Sequence, residues 1–195
     1  LLNAVYITCP SESMANAMMT AYHAPKKPIS IYNSFSLKEN DGIVYEVANP
    51  VSLIWFSQVV GPGRGLENLI KALRLIKRPL EIHLVGNVVN GYENQLNEEF
   101  KKMGHLLFFH GIVKHHELLP LIAQFNIGLA LENNIPDNKD TTVSNKILQY
   151  IQAGNKVLAT NTKGQLEIAA AFPDSVCIVE VDQPEQWAGA IEELL

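Results

Sequence analysis

Two turns rich in glycine and polar residues carry the side chains that could do chemistry. The first contains Gly61, Gly63, Arg64 and Gly65, directly before a segment of helical period. Glycines let backbone approach a ligand closely, a helix N-terminus offers unpaired N–H groups, and a guanidinium can bind two phosphate oxygens together. This turn is therefore a candidate anion site.

The first turn differs from nucleotide-binding loops that have a fixed glycine pattern. It lacks the Gly-Lys-Ser/Thr end of a Walker A loop, and Leu66 stands where the dinucleotide fingerprint has its third glycine. No acidic residue closes the second predicted strand, where the ribose of NAD would need one. Hydride transfer is thus disfavoured. By itself, the turn favours an ordinary strand-to-helix connection with a solvent-facing Arg64.

The second turn contains Ser144, Asn145 and Lys146 and also precedes a helical segment. Ser144 is a predicted N-cap, and Lys146 in the first helical turn would oppose the helix dipole unless an anion lies nearby. Lys146 and Gln149 share one helix face, so they could contact a phosphate and a sugar hydroxyl together. An amphipathic helix with a surface lysine is the alternative. Combined with Arg64, the pattern favours a phosphorylated ligand.

Short apolar runs that alternate with segments of helical period must position these turns. The predicted strands are Val51 to Ser57, Glu81 to Gly86, Leu106 to Gly111, Ile127 to Glu132, Lys156 to Thr160 and Cys177 to Val181. The predicted helices cover 66–76, 143–153, 164–172 and 184–195. Continuous apolar strands are typical of parallel sheets covered on both faces.

This pattern predicts an α/β fold with a doubly wound, mostly parallel, six-stranded Rossmann-like sheet. In the common strand order 3-2-1-4-5-6, the order reverses between the first and fourth strands, and ligands bind at that point. The two turns follow those two strands. We therefore expect them to face one crevice.

The first fifty residues have a weaker pattern. A strand from Val5 to Thr8, a helix from the N-cap Ser11 to Tyr22 and a strand from Pro28 to Tyr32 are expected. These elements either end a preceding lobe or add an edge to the same sheet. The domain prediction takes 1–50 as a remnant of an N-terminal lobe plus linker, and 51–195 as the ligand-binding domain.

Asn33 to Pro50 is predicted to be a connection, since its periodicity is weak. The chain starts at Leu1 without Met and stops inside a helical pattern. We therefore expect a fragment of a longer polypeptide.

Composition excludes several classes of function. Fifteen basic against twenty acidic residues give a net charge of −5, so nucleic acid is not an expected partner. Cys9 and Cys177 are too few for a disulfide framework, which favours a reducing, cytoplasmic location. No apolar run reaches the roughly 18 residues of a membrane span. The six histidines, Asp137 and Asp140 show no metal-ligand spacing, so we expect no metal site. A cofactor is not expected either.

Three stretches, Trp55 to Glu67, His110 to Leu118 and Asn145 to Thr160, carry a family resemblance. In this order they resemble the C-terminal, donor-binding domain of GT-B retaining glycosyltransferases of the family-4 type, the glycosyl transferases group 1. Asn145 to Thr160 is the most specific part and looks like the family's NK-x-x-EY-x-x-AG-x-PV stretch. Residues 1–32, followed by Asn33, look like the end of the N-terminal lobe.

The resemblance implies a nucleotide-diphosphate sugar as donor substrate. It implies contacts to the donor diphosphate from Gly61, Gly63, Arg64, Gly65, Ser144, Asn145 and Lys146. It implies ribose or sugar contacts from Thr142 and Gln149, and base contacts from Gly86, Asn87, Ile112 and Val113. The chain departs from the family at three places: Gln149 and Thr141 replace two glutamates, and Gln58 and Val59 occupy the region of an arginine.

The resemblance also implies retaining, metal-independent sugar transfer, in polysaccharide or glycoconjugate biosynthesis. Arg64, Lys146 and two helix N-termini would stabilise the leaving diphosphate. An unidentified acceptor, and any peripheral membrane contact, would belong to the missing N-terminal lobe, so the fragment is expected to bind donor with little or no turnover. Catalytic residues are not identified. A non-catalytic nucleotide-binding lobe and a sugar-nucleotide epimerase stay open as alternatives.

Overall fold

The computed structural model describes residues 3–24, 26–36 and 51–194. The first elements in chain order are β1 (Thr8–Cys9), α1 (Glu12–Tyr22) and β2 (Ile29–Ser30). The Ser11 hydroxyl accepts the Met14 N–H at 3.0 Å, so α1 has the predicted N-cap. Strands β1 and β2 pair in parallel as a separate two-stranded sheet. The alternative in which they add an edge to the large sheet is therefore wrong.

Six further strands and seven helices follow in the described residues. They are β3 (Ser52–Val60), α2 (Leu66–Leu73), β4 (Glu81–Val88), α3 (Tyr92–Met103), β5 (Leu106–Gly111), α4 (His115–Ile122), β6 (Ile127–Ala130), α5 (Asp137–Thr141), α6 (Asn145–Gln152), β7 (Lys156–Thr160), α7 (Lys163–Ala171), β8 (Val176–Val179) and α8 (Pro184–Glu193).

These six strands form one all-parallel sheet in the order β5-β4-β3-β6-β7-β8. This is the expected doubly wound order, so the Rossmann-like α/β prediction is confirmed. Strands β5 and β7 have the predicted bounds. Strand β3 instead continues past Ser57 to Val60, with an irregular register between Phe56 and Val59. The order reverses between β3 and β6, as the sequence predicts.

Two apolar clusters, one on each face of the sheet, form the core. Leu53 and Trp55 belong to one cluster together with Trp187 of α8, whereas Ile54 belongs to the other with Tyr150 of α6. Successive side chains of a strand point to opposite faces, so a strand buried on both sides is apolar throughout. This burial explains the continuous apolar runs.

The link between the N-terminal elements and the large sheet is only partly described. The predicted connection from Asn33 to Pro50 falls mostly outside the described residues, and the domain boundary at residue 50 stays a prediction. In the described part of the chain, none of the helices combines the length and apolar character that crossing a bilayer requires.

Candidate functional site

A cleft of about 790 Å³ opens at the carboxyl ends of the strands, where β3 and β6 flank the reversal of strand order. Of the predicted site residues, nine line it: Gly86, Arg64, Ile112, Val113, Thr142, Ser144, Asn145, Lys146 and Gln149. The two cations predicted to converge, Arg64 and Lys146, thus share one cleft although they are far apart in sequence. Binding by these side chains stays a prediction.

The first turn is fixed against the end of β6. Gly65 has a φ of 90°, and a Cβ there would lie 2.8 Å from the Leu131 Cβ, so only glycine fits without a shift. Asn133 Nδ2 donates to the Gly63 carbonyl at 3.2 Å and joins the segments that follow β3 and β6. These contacts hold Arg64, an exposed residue, at the rim of the cleft.

One N–H group of the first turn is already used. The Gly63 N–H donates to Glu67 Oε1 at 2.6 Å, and Glu67 lies in the first turn of α2. Gly61, Gly63, Gly65 and Asn87 do not line the cleft, in contrast to the other predicted residues. The glycines therefore act by shaping the turn, and Arg64 is the residue of this turn that faces the cleft.

The second turn is built around Ser144. Its hydroxyl accepts the Lys146 N–H at 3.3 Å, as expected of the N-cap of α6, and donates to Glu132 Oε1 at 3.0 Å. The Lys146 ammonium lies 2.5 Å from the same carboxylate oxygen. The anion that the sequence requires near Lys146 is thus present within the protein, as Glu132.

Glu132 is one of the cleft residues that the sequence prediction missed. It lines the cleft directly after β6, and its backbone is fixed because its N–H donates to Thr160 Oγ1 at 2.9 Å and its carbonyl accepts from the same hydroxyl at 2.7 Å. The available signal was an acidic residue at the end of an otherwise apolar run, at the strand that follows the reversal of order.

Gln149 and Thr141, which stand where the family has glutamates, lie in different surroundings. Gln149 lines the cleft and is 5% exposed, so its amide can meet a ligand from the floor of the site. Thr141 is buried, does not line the cleft, and its carbonyl accepts a hydrogen bond from Ser11 Oγ. Thr142, the next residue, lines the cleft instead.

The region predicted to hold the base depends on a close approach of β4 to β3. Gly86 has a φ of 139°, and a Cβ there would lie 2.1 Å from the Ser57 carbonyl oxygen, so a side chain is excluded. Ile112, which is 80% exposed, and Val113 follow β5 and form the neighbouring wall. The cleft also receives residues that the sequence did not single out, including Asn33, Ser57, His115 and Lys139.

Asp140, one of the two acidic residues of the long loop, is engaged elsewhere. Its carboxylate lies 2.8 Å from Lys163 Nζ; burial opposes its ionisation, but hydrogen bonds from Lys163 hold the pKa of Asp140 below its usual value. Among residues 3–24, 26–36 and 51–194, no three His, Cys, Asp or Glu side chains come together as a metal site.

The chain is similar to one protein family and to several solved structures. The family model described as "Glycosyl transferases group 1" matches residues 50–195. HepE from Anabaena, solved in complex with UDP, has a TM-score of 0.76 at 18% identity over 97% of this chain and 54% of HepE. The C-terminal domain of LpcC, a glycosyl transferase group 1 family protein from Francisella tularensis, has a TM-score of 0.59 at 15% identity, over 76% of each chain.

At these identities the likeness to solved structures supports the fold alone. The chain spans about half the length of HepE. No curated protein sequence matches the chain significantly.

Proposed function

The chain belongs to the glycosyl transferases group 1 family, and from this premise we propose that its cleft binds the diphosphate of a nucleotide-sugar donor. The whole protein would transfer the sugar to an acceptor held by another lobe. One observation carries the proposal: Arg64 and Lys146, from turns after β3 and β6, line the same cleft at the reversal of strand order. Two cations at this position suit a diphosphate.

The proposed mechanism is stabilisation of the leaving group. When the bond between sugar and diphosphate breaks, negative charge grows on the diphosphate. In this proposal Arg64 and Lys146, which line the cleft, would meet that charge together with the N-termini of α2 and α6. We assign charge neutralisation to these groups and no step to a metal ion. Retention of configuration and a role in polysaccharide or glycoconjugate assembly belong to the same proposal.

Recognition of the rest of the donor is assigned to the remaining walls. Gln149 and Thr142 would contact the ribose or sugar, and the surface at Gly86, Ile112 and Val113 would contact the base. An uncharged amide gives a weaker hydrogen bond to a hydroxyl than a carboxylate does. We therefore expect nucleoside hydroxyls to contribute little to affinity and the diphosphate to contribute most.

Titration calorimetry of the chain with UDP, GDP and UDP-glucose tests the proposal. Replacing Arg64 with alanine should weaken binding of the preferred diphosphate about ten- to hundredfold, since a hydrogen bond to a charged group contributes about 1.5–3 kcal/mol. Arg78→Ala removes an exposed arginine that does not line the cleft, and it should leave the affinity unchanged. Absence of heat at millimolar ligand for every nucleotide would contradict the proposal.

The missing carboxylate at Gln149 favours a second candidate, a nucleotide-binding lobe without turnover. The two candidates differ in the full-length protein. Sugar transfer or donor hydrolysis by that protein supports the enzyme, whereas tight donor binding with neither reaction supports the second candidate. Release of an epimerised nucleotide sugar would instead indicate an epimerase.

A further inference from the structure

Glu132 places a carboxylate in the cleft where the proposed function requires a phosphate. It contacts both groups of the second turn that suit an anion, the Lys146 ammonium at 2.5 Å and the Ser144 hydroxyl at 3.0 Å. We propose that Glu132 is an internal competitor of the diphosphate, which weakens binding of the free nucleoside diphosphate more than binding of the nucleotide sugar. This inference rests on the proposed function for the identity of the ligand.

The position of Glu132 keeps its carboxylate in the cleft and poorly screened by solvent. The side chains of Lys146 and Glu132 are only 18% and 20% exposed, so solvent screens their charges less than those of a surface pair. The backbone of Glu132 is held on both sides by the Thr160 hydroxyl. A ligand that enters the cleft must therefore share Lys146 with a carboxylate that stays near.

The consequence depends on the charge of the ligand. Coulomb repulsion from Glu132 grows in proportion to the negative charge that approaches it. A free nucleoside diphosphate ends in a phosphate monoester with a second ionisation near pH 6, so at neutral pH it carries about one more negative charge than the sugar diester. Glu132 thus disfavours product relative to donor. Its role would be to promote release of the nucleoside diphosphate after transfer.

Glu132→Gln tests the proposal, because the amide preserves the shape and an acceptor for Ser144 while removing the charge. Calorimetry should show UDP bound about tenfold more tightly than by the wild-type chain, UDP-glucose about fivefold more tightly, and uridine unchanged. Glu98→Gln is the control: it removes the same charge from an exposed position on α3, away from the cleft, and should change none of the three.

Two additional variants separate the charge from the fold. Glu132→Asp keeps the charge, so it should bind UDP as the wild-type chain does. In a Lys146→Met background, Glu132→Gln should tighten UDP binding by a smaller factor, because the competition is for Lys146. Equal UDP affinity of Glu132→Gln and Glu132→Asp would overturn the inference.

Inorganic pyrophosphate makes the two possible failures distinguishable. UDP that binds the wild-type chain and Glu132→Gln equally well overturns the role of Glu132 and leaves the proposed function intact. Pyrophosphate that binds Glu132→Gln more tightly than wild type, when no nucleotide binds either, supports the competition at Lys146 and overturns the nucleotide-sugar assignment. No binding of pyrophosphate or UDP by either protein overturns both.

Discussion

Two imidazoles on the neighbouring strands β4 and β5 form a contact that should respond to pH. His83 Nδ1 and His110 Nε2 are 2.9 Å apart, and the His83 ring stacks on Phe108 at a centroid distance of 4.6 Å. Burial, reinforced by the neighbouring His110, lowers the pKa of His83, although Glu81 opposes this shift with a carboxylate oxygen 3.5 Å from His83 Nε2. Burial also lowers the pKa of His110.

We predict that the chain loses stability as the pH falls below the ordinary pKa of these two histidines. Because the folded pKa values lie below the unfolded value of about 6.5, the unfolded chain binds more protons in the window just below that pH. The free energy of unfolding should then fall as the pH drops below about 6.5, because the buried His83 binds a proton less readily in the folded chain than in the unfolded chain. Urea denaturation at several pH values measures this slope.

His83→Gln should flatten the slope of stability against pH, whatever it does to stability at pH 7. Leu106→Gln, a change at an exposed position of β5, removes no imidazole and serves as the control. Parallel slopes for wild type and His83→Gln would contradict the prediction. The sequence analysis found no metal-ligand spacing at this histidine, and only the register of β4 against β5 brings it to His110.

The site could be predicted from the sequence where a residue acts through its own type and position. Arg64, Ser144 and Lys146 combine a turn, a cap and a charge, which local spacing reveals. Glu132 acts through Lys146, 14 positions away, and that pairing needs the path of the chain from β6 to α6. The resemblance implies a base contact from Asn87 in a loop after β4, but β4 continues to Val88 and Asn87 does not line the cleft.

At the scale of elements, α6 is positioned by one tyrosine, Tyr150, that contacts both β6 and β3 on one face of the sheet. The Tyr150 hydroxyl donates to the Ile54 carbonyl of β3 at 3.0 Å, and its ring lies over Gly128 of β6. A Cβ at Gly128 would lie 2.2 Å from the Tyr150 ring, so the absent side chain is what lets α6 approach. Lys146 and Gln149 are on the same helix, so this contact also sets their place in the cleft.

Gly128→Ala should therefore destabilise the chain by about 1–3 kcal/mol, as expected for overpacking of a core, and should also weaken UDP binding. Gly189→Ala is the matched control, because a Cβ on that helical residue of α8 meets no atom within 4 Å. It should be neutral or stabilising by about 0.4–1 kcal/mol. Equal urea midpoints for the two variants would contradict the importance of the close approach.

Periodicity failed to predict the helices α3, α4 and α5 because each has a weak local signal. Helix α3 is polar except for Tyr92, Leu96, Phe100 and Met103, so its buried stripe is narrow. Helix α4 contains Pro120, and α5 has only five residues. The strands and α2 were predictable because they are apolar over most of their length or on one broad face. These helices form because of long-range packing, which the local spacing of residues does not show.

At the scale of the whole molecule, residues 8–30 form an N-terminal unit that docks onto α5 and α7. The Glu167 carboxylate of α7 accepts the Glu12 N–H at 3.0 Å, the Ser13 N–H and the Tyr32 hydroxyl at 2.8 Å. The hydrogen bond to Glu167 is the main cause of a raised pKa at Tyr32. A carboxylate at the first N–H groups of α1 also complements the helix dipole.

This docking reaches the cleft, because the chain that leaves the N-terminal unit places Asn33 on its wall. Asn33 Nδ2 donates to Asn145 Oδ1 at 2.7 Å, next to Lys146. The N-terminal unit and the second turn are thus coupled through polar contacts at Glu167 and Asn145. Loss of the contacts to Glu167 should therefore loosen the N-terminal unit while leaving the six-stranded sheet intact.

Glu167→Ala should therefore lower hydrogen-exchange protection in α1 about tenfold, since it removes a charged acceptor from three donors, while β3, β4, β6 and β7 keep their protection. Glu192→Ala, at an exposed acidic residue of α8, is the control and should leave α1 unchanged. Mass spectrometry of exchanged peptides resolves these regions. Uniform loss of protection over the whole chain would instead mean that the N-terminal unit and the six-stranded sheet unfold as one cooperative body, with Glu167 stabilising both.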